Sequence, residues 1–292
     1  MLSDIHRRVV NAKYVLERAA RIQAESNEMS LSISLLLMHD AIELLMLAVL
    51  DHLKVNTNRH REFMDFWQEI KRAGLTEPPD SIPMDSLNKL RVALKHNGIL
   101  PNPQTVRNLL PRTRGFFENV LNSYCQMAYA EISLIDLIPD PEVRKIVAGA
   151  RQKFKAGDKP SAMTDLKIAL HKLENPDGKY LPKLHAPQKP SLPHQMDRAG
   201  WGTYLNQIHS FLDQCASRTN ALMFGIDPIR YANFVRSGPG VAWAMTGTPY
   251  VSHWSKYDEV TSERFDELVS FLIDYALKVS EAYIPLAVRS LP

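Results

Sequence analysis

Arg91 and His96 are the residues whose types and spacing could do chemistry on a phosphodiester, and they stand in the run Arg91-Val92-Ala93-Leu94-Lys95-His96-Asn97-Gly98. A guanidinium stays charged and offers a planar fork that bonds two phosphate oxygens at once. Imidazole is the side chain suited to moving a proton near neutral pH. Together they can grip and cleave. The element that must carry them reads as a helix: Leu87, Leu90 and Leu94 recur at helical spacing, Asp85 or Ser86 is expected at the N-cap, and Gly98 supplies a left-handed stop. At 100° per residue, Arg91 and His96 point about 140° apart, so one unaided helix does not aim both at the same atom. Either the last turn tightens or a second copy of the chain completes the site. The same two residues also fit a structural ion pair at Arg91 and a helix cap at His96.

The Arg, four residues, His pattern, with the surrounding Leu-Lys-His-Asn-Gly wording, resembles the R-x(4-6)-H motif of the HEPN superfamily. These are helical-bundle domains that include many metal-independent RNases of bacterial toxin and antiphage systems. The resemblance covers roughly the first half of the chain. It implies that two protomers pair so that both motifs line one cleft, with Arg91 stabilising the phosphate charge and His96 acting as base or acid on a ribose 2′-hydroxyl. Lys95 and Asn97 would support them. Active members usually carry Asn, Asp or His straight after the Arg. Here that residue is Val92, a departure that bears on catalysis rather than on the fold.

Leu31 to Leu53 is apolar enough to be mistaken for a membrane span, but it contains His39, Asp40 and Glu43. A carboxylate at the centre of a spanning helix costs about 2.5–3.5 kcal/mol on insertion scales, so a central bundle helix is expected and no membrane partner. His39 and Glu43 lie one turn apart and share a face, with Asp40 beside them. They fit a solvated polar stripe. In HEPN-like domains a carboxylate on the second helix often faces the motif arginine, and by that resemblance Glu43 would hold Arg91 in place.

With 292 residues and 45% hydrophobic content, the chain is long enough for two domains with real cores. Its two cysteines, Cys125 and Cys215, lie far apart, and its ten histidines form no short Cys/His cluster. No disulfide framework, structural zinc or other cofactor is expected, and the N-terminus lacks a signal-peptide core, which makes a reducing cytoplasm the expected compartment. The absence of a Gly-rich phosphate loop, a nucleophile elbow and a His-Glu-x-x-His stretch leaves kinase, serine-hydrolase and zinc-protease readings without residues.

The first region, 1–138, is expected to be an antiparallel helical bundle. One apolar stripe runs Ile5, Val9, Ala12, Val15, Ala19 and Ile22; the second helix is Leu31 to Leu53; Phe63, Phe66, Trp67 and Ile70 mark a third. The prolines of Thr76 to Pro83 break the chain before the motif helix. A long pattern follows Pro101 and Pro103 from roughly Thr105 to Ile138, with Pro111 as a kink or fresh start. A helical hairpin is expected over 139–175, where Asp140 caps and Pro141 suits the first turn. The spacing Phe154, Gly157, Asp158, Ala162, Leu166, Ala169 and Leu170 looks like a single tetratricopeptide-type unit. A Pro-rich linker is expected over 176–198, and an α module with a small β-hairpin over 199–292. In that module Trp201 to Leu222 reads as a helix with Leu205, Ile208 and Leu212 on its apolar side. Ile229 to Arg236 and Val241 to Thr246 read as strands joined by a type II turn at Gly238-Pro239-Gly240, and Ser262 to Ala287 reads as a closing helix. The fold class expected is therefore mainly α.

Charge is uneven. Residues 143–198 hold twelve Lys and Arg against five Asp and Glu, within a chain whose net charge is +3. Lys153, Lys155 and Lys159 are the RNA-contact candidates of this basic middle, although a solvated helix face explains such a run as well. The function expected is a metal-independent endoribonuclease of a toxin-antitoxin or antiphage defence system, acting as a homodimer on RNA, with an antitoxin or other defence protein as a further partner. The alternatives are a non-catalytic HEPN-like module that binds RNA, nucleotide or a protein partner, and a purely helical adaptor.

Overall fold

The computed structural model describes residues 4–55, 62–177, 179–181, 184, 201–243 and 249–285. It is mainly helical, with ten α-helices and two short two-stranded sheets among the described residues. The chain divides into two compact units, Met1–Asp136 and Leu137–Pro292.

In the first unit, α1 (Asp4–Gln23) and α2 (Glu28–His52) pack along their lengths, and α4 (Ser81–Asn97) and α5 (Pro103–Val120) also pack on α2. α2 starts where Asn27 accepts from the Ser30 N–H. It is long and apolar enough to cross a membrane, yet Leu35, Met38, Ile42, Leu45 and Val49 are all fully buried in the unit. Its hydroxyls are satisfied locally, with Ser34 donating to the Ala19 carbonyl at 2.9 Å. The short α3 (Asp65–Arg72) buries Phe66, Trp67 and Ile70, and Trp67 lies 5.5 Å from the Phe116 ring of α5. Glu17 of α1 takes bonds from Arg114 at 2.8 Å and Tyr129 at 2.7 Å, tying the last segment of the unit to the first helix.

The motif helix begins earlier than expected. α4 starts at Ser81 with Asp80 preceding it, and neither Asp85 nor Ser86 caps it: Asp85 pairs with Lys89 at 2.7 Å, and Ser86 donates to the Ile82 carbonyl. Pro83 sits in the first turn, where its missing N–H has no intrahelical acceptor to lose, so it does not break the helix. The expected stop is present, with Gly98 at φ 65° and its N–H donating to the Leu94 carbonyl. The pattern from Thr105 to Ile138 is not one helix. α5 runs through Pro111 and ends at Val120; a π-turn over Leu121–Cys125 and two 3-10 turns follow, with Gln126 left-handed.

In the second unit, α6 (Pro141–Lys155) and α7 (Lys159–Glu174) form the expected hairpin. Asp140 accepts from Glu142 and Val143, and Asp158 accepts from Ser161. The hairpin does not stand alone, because α7 packs on α10 (Ser262–Ser280) and Phe154 stacks on Phe265 at 4.1 Å. α10 buries Phe265, Leu268, Phe271, Leu272, Tyr275 and Val279 as its spacing predicts, but it ends at Ser280 rather than near Ala287. Pro285 disfavours helical backbone at Ile284, and β4 (Ile284–Pro285) instead pairs with β1 (Lys179–Tyr180). Beyond that strand and a few flanking positions, the Pro-rich segment 176–198 lies outside the described residues.

Two further expectations fail here. Residues 229–236 are not a strand but the helix α9 (Pro228–Arg236), because Asp227 accepts from the Ile229 and Arg230 N–H groups and Pro228 takes the first helical position. The hairpin partner of β2 (Val241–Trp243) is β3 (Pro249–Val251), with Val241 opposite Val251. The turn at 238–240 is not type II, since the positive φ falls on Gly238, at 120°, and not on Gly240. Gly238 lies against α7, where a Cβ would come within 3.1 Å of Lys167 and 3.3 Å of Met163. α8 (Trp201–Met223) forms as predicted, but Leu205 is only half-buried, while Ile208 and Leu212 stay exposed with Phe211.

Candidate functional site

α4 places Asn88, Arg91 and Lys95 on one line at i, i+3 and i+7, and this line faces the polar interruption of α2. There His39 is buried while Asp40 and Glu43 keep side-chain exposures of 58% and 38%, so a polar edge of the α2–α4 junction opens to solvent. The His39 Nε2 is 3.1 Å from the Asn88 Oδ1. Because that oxygen can only accept, Nε2 carries the proton, and Nδ1 is left with its lone pair. Nδ1 has no hydrogen-bond partner and lies 3.6 Å from Glu43 Oε2 and 3.8 Å from Asp40 Oδ1. The ring stacks on Phe63, centroid to centroid 4.3 Å.

Burial pushes the His39 pKa below its ordinary value, and the charge of Arg91 pushes the same way against the Asn88 bond and Asp40. Burial raises the Glu43 pKa, Asp40 adds to that, and Arg91 and Lys95 oppose it. Arg91 therefore stands within the field of both His39 and Glu43. The contact between Arg91 and Glu43 expected from the sequence is electrostatic: among the described residues, no ion pair at contact distance joins the two. Lys95 belongs to the same group.

His96 and Asn97 lie in the last turn of α4, exposed, beside the Gly98 stop. Among the described residues, no hydrogen bond or ion pair draws His96 onto the Arg91 face. Val92 of α4 and Ile33, Leu44 and Leu47 of α2 expose apolar side chains. Asn88 is the participant that sequence reasoning missed. Its signal was a poor helix former in mid-helix, three residues before Arg91, where its amide has to find a partner off the helix.

The basic candidates belong to the second unit. Lys153 is held by Asp165 at 2.7 Å, Lys159 donates to the Asp258 carbonyl at 3.3 Å, and Lys155 is exposed. Two of the three are thus engaged locally. The second unit also contains a cleft of about 180 Å³ lined by Glu174, Asp213, Tyr231 and Tyr275, in which the Tyr231 hydroxyl donates to Glu174 at 2.8 Å. Comparison of the chain with protein-family models, with curated proteins and with solved structures gave no match.

Proposed function

We propose that the first unit is a HEPN-like bundle and that the chain is a metal-independent endoribonuclease of a toxin-antitoxin or antiphage system, acting in the cytoplasm as a homodimer. The observation that carries this reading is the placement of Arg91. It lies on the α2-facing side of α4 beside the Glu43 carboxylate and Lys95, with His96 exposed at the end of the same helix. The exposed apolar residues Ile33, Leu44 and Leu47 of α2 and Val92 of α4 support pairing of two copies. Pairing would let the His96 of one copy serve a phosphate held by the Arg91 of the other.

In the reaction, His96 removes the proton from a ribose 2′-hydroxyl. The oxygen attacks the adjacent phosphorus, and the bond to the 5′-oxygen breaks with a proton delivered to the leaving oxygen. Arg91 bonds the non-bridging oxygens as their charge grows. The product is a 2′,3′-cyclic phosphate and a free 5′-hydroxyl.

The test is RNA cleavage by the full chain. Arg91→Ala and His96→Ala should each lower the rate on the order of a hundredfold or more without unfolding the protein. The wild type should remain active in chelator. Activity that survives both substitutions, or that chelator abolishes, overturns the mechanism. The second reading, a non-catalytic HEPN-like module binding RNA, nucleotide or a protein partner, is favoured by one observation: an apolar Val92 occupies the position after Arg91, half-open to solvent where active members carry a polar side chain.

A further inference from the structure

We propose that His39, Asp40 and Glu43 form a binding site for a first-row transition dication such as Mn2+ or Zn2+ at the junction of α2 and α4. This goes beyond the nuclease reading and does not rest on it. The site is built by one helix: residues i, i+1 and i+4 of α2 bring a ring nitrogen and two carboxylates together, and their donor atoms lie within 4.8 Å of one another.

The observation that points to a ligand is the state of His39. Its side chain is 98% buried, and its Nδ1 has no hydrogen-bond partner, though a buried polar atom normally finds one. That nitrogen lies within 4 Å of an oxygen of each carboxylate, which cannot donate to it while ionised. The other nitrogen donates to Asn88, an arrangement that in metal-bound histidines fixes the tautomer and aims the lone pair at the ion.

Spacing and donor chemistry agree. With metal–ligand bonds of about 2.1 Å, two ligands of one ion stand up to about 4.2 Å apart. The Nδ1 separations of 3.8 Å from Asp40 and 3.6 Å from Glu43 already meet that limit. Both carboxylates keep solvent-exposed surface, so they can rotate toward the ion and leave room for water to complete its shell. One imidazole with two carboxylates suits borderline first-row ions better than Mg2+ or Ca2+, which prefer oxygen alone. The nearby cations Arg91 and Lys95 oppose the ion, and this makes occupancy responsive to where Arg91 sits.

The experiment is a Mn2+ titration of the full chain followed by electron paramagnetic resonance, which reads binding without any RNA. The expected result is one tight site per chain. Asp40→Asn and Glu43→Gln should each weaken it about tenfold or more. Both side chains are partly exposed, so neither change empties a core position, and circular dichroism confirms that the variants fold. Arg91→Ala should tighten binding several-fold by removing the opposing charge. Absence of binding at millimolar Mn2+, or binding that Asp40→Asn and Glu43→Gln leave unchanged, overturns the proposal.

Discussion

The His39 ring nitrogen and the Asn88 side-chain oxygen, 3.1 Å apart, form the polar tie between the buried centre of α2 and the helix that carries Arg91. Asn88→Ala removes the acceptor and leaves a buried imidazole N–H without a partner, which costs about 1–3 kcal/mol. Denaturant unfolding of the variant measures the loss. A stability equal to that of the wild type would show that the tie contributes nothing.

The same ring makes stability fall in acid. Burial and then Arg91 hold the folded pKa of His39 below the ordinary 6.5, so the fold favours the neutral ring. Its contribution is present above the unfolded pKa of about 6.5 and is lost as pH falls through the depressed folded value. Glu43 has the opposite sign, because its raised pKa favours the fold on the acid side and that contribution disappears as pH rises through the raised value. A His39→Gln variant should lose the decline in unfolding midpoint that the wild type shows below about pH 6.5.

The exposed apolar residues of α2 offer a direct test of the proposed pairing of two copies. Leu44 and Leu47 are each 40% exposed, so the carboxylates of Leu44→Glu and Leu47→Glu can reach solvent. Both should shift a dimeric wild type toward monomer in light scattering, with unchanged helical content. A strictly monomeric wild type at micromolar concentration counts against pairing through this face.

Lys167 makes the stability of the second unit rise on the alkaline side. Burial pushes its pKa down to about 8, while its Nζ donates to the Phe234 and Val235 carbonyls at the end of α9 at 2.7 and 2.5 Å. The fold disfavours the charged form, so this group's stability contribution rises between about pH 8 and the unfolded value near 10.5 and is lost as pH falls through 8. Hydrogen exchange or thermal unfolding of the second unit should show that rise, and Lys167→Met should flatten it. An identical slope in the variant would assign the pH dependence to another group.

Several features of this protein were legible from short stretches of chain, because the chemistry that specifies them is local. Asp140, Asp158 and Pro141 mark their helix starts because a capping oxygen and a proline act within three residues. Gly98 marks its stop because only the left-handed region closes the turn there. The buried stripe of α10 was legible from its spacing, and so was the shared face of His39 and Glu43 on α2, with Asp40 beside them. Sequence misread residues 229–236 as a strand, although Asp227 and Pro228 together start a helix there. It misplaced the start of α4 by counting Pro83 as a breaker. Tertiary structure alone decided what the polar residues meet. That His39 is buried with its Nδ1 close to Glu43, that Asn88 holds its other nitrogen, and that Arg91 lies in the same field all depend on α4 packing against α2. Helical periodicity states which side chains share a face; it does not state which neighbour that face receives.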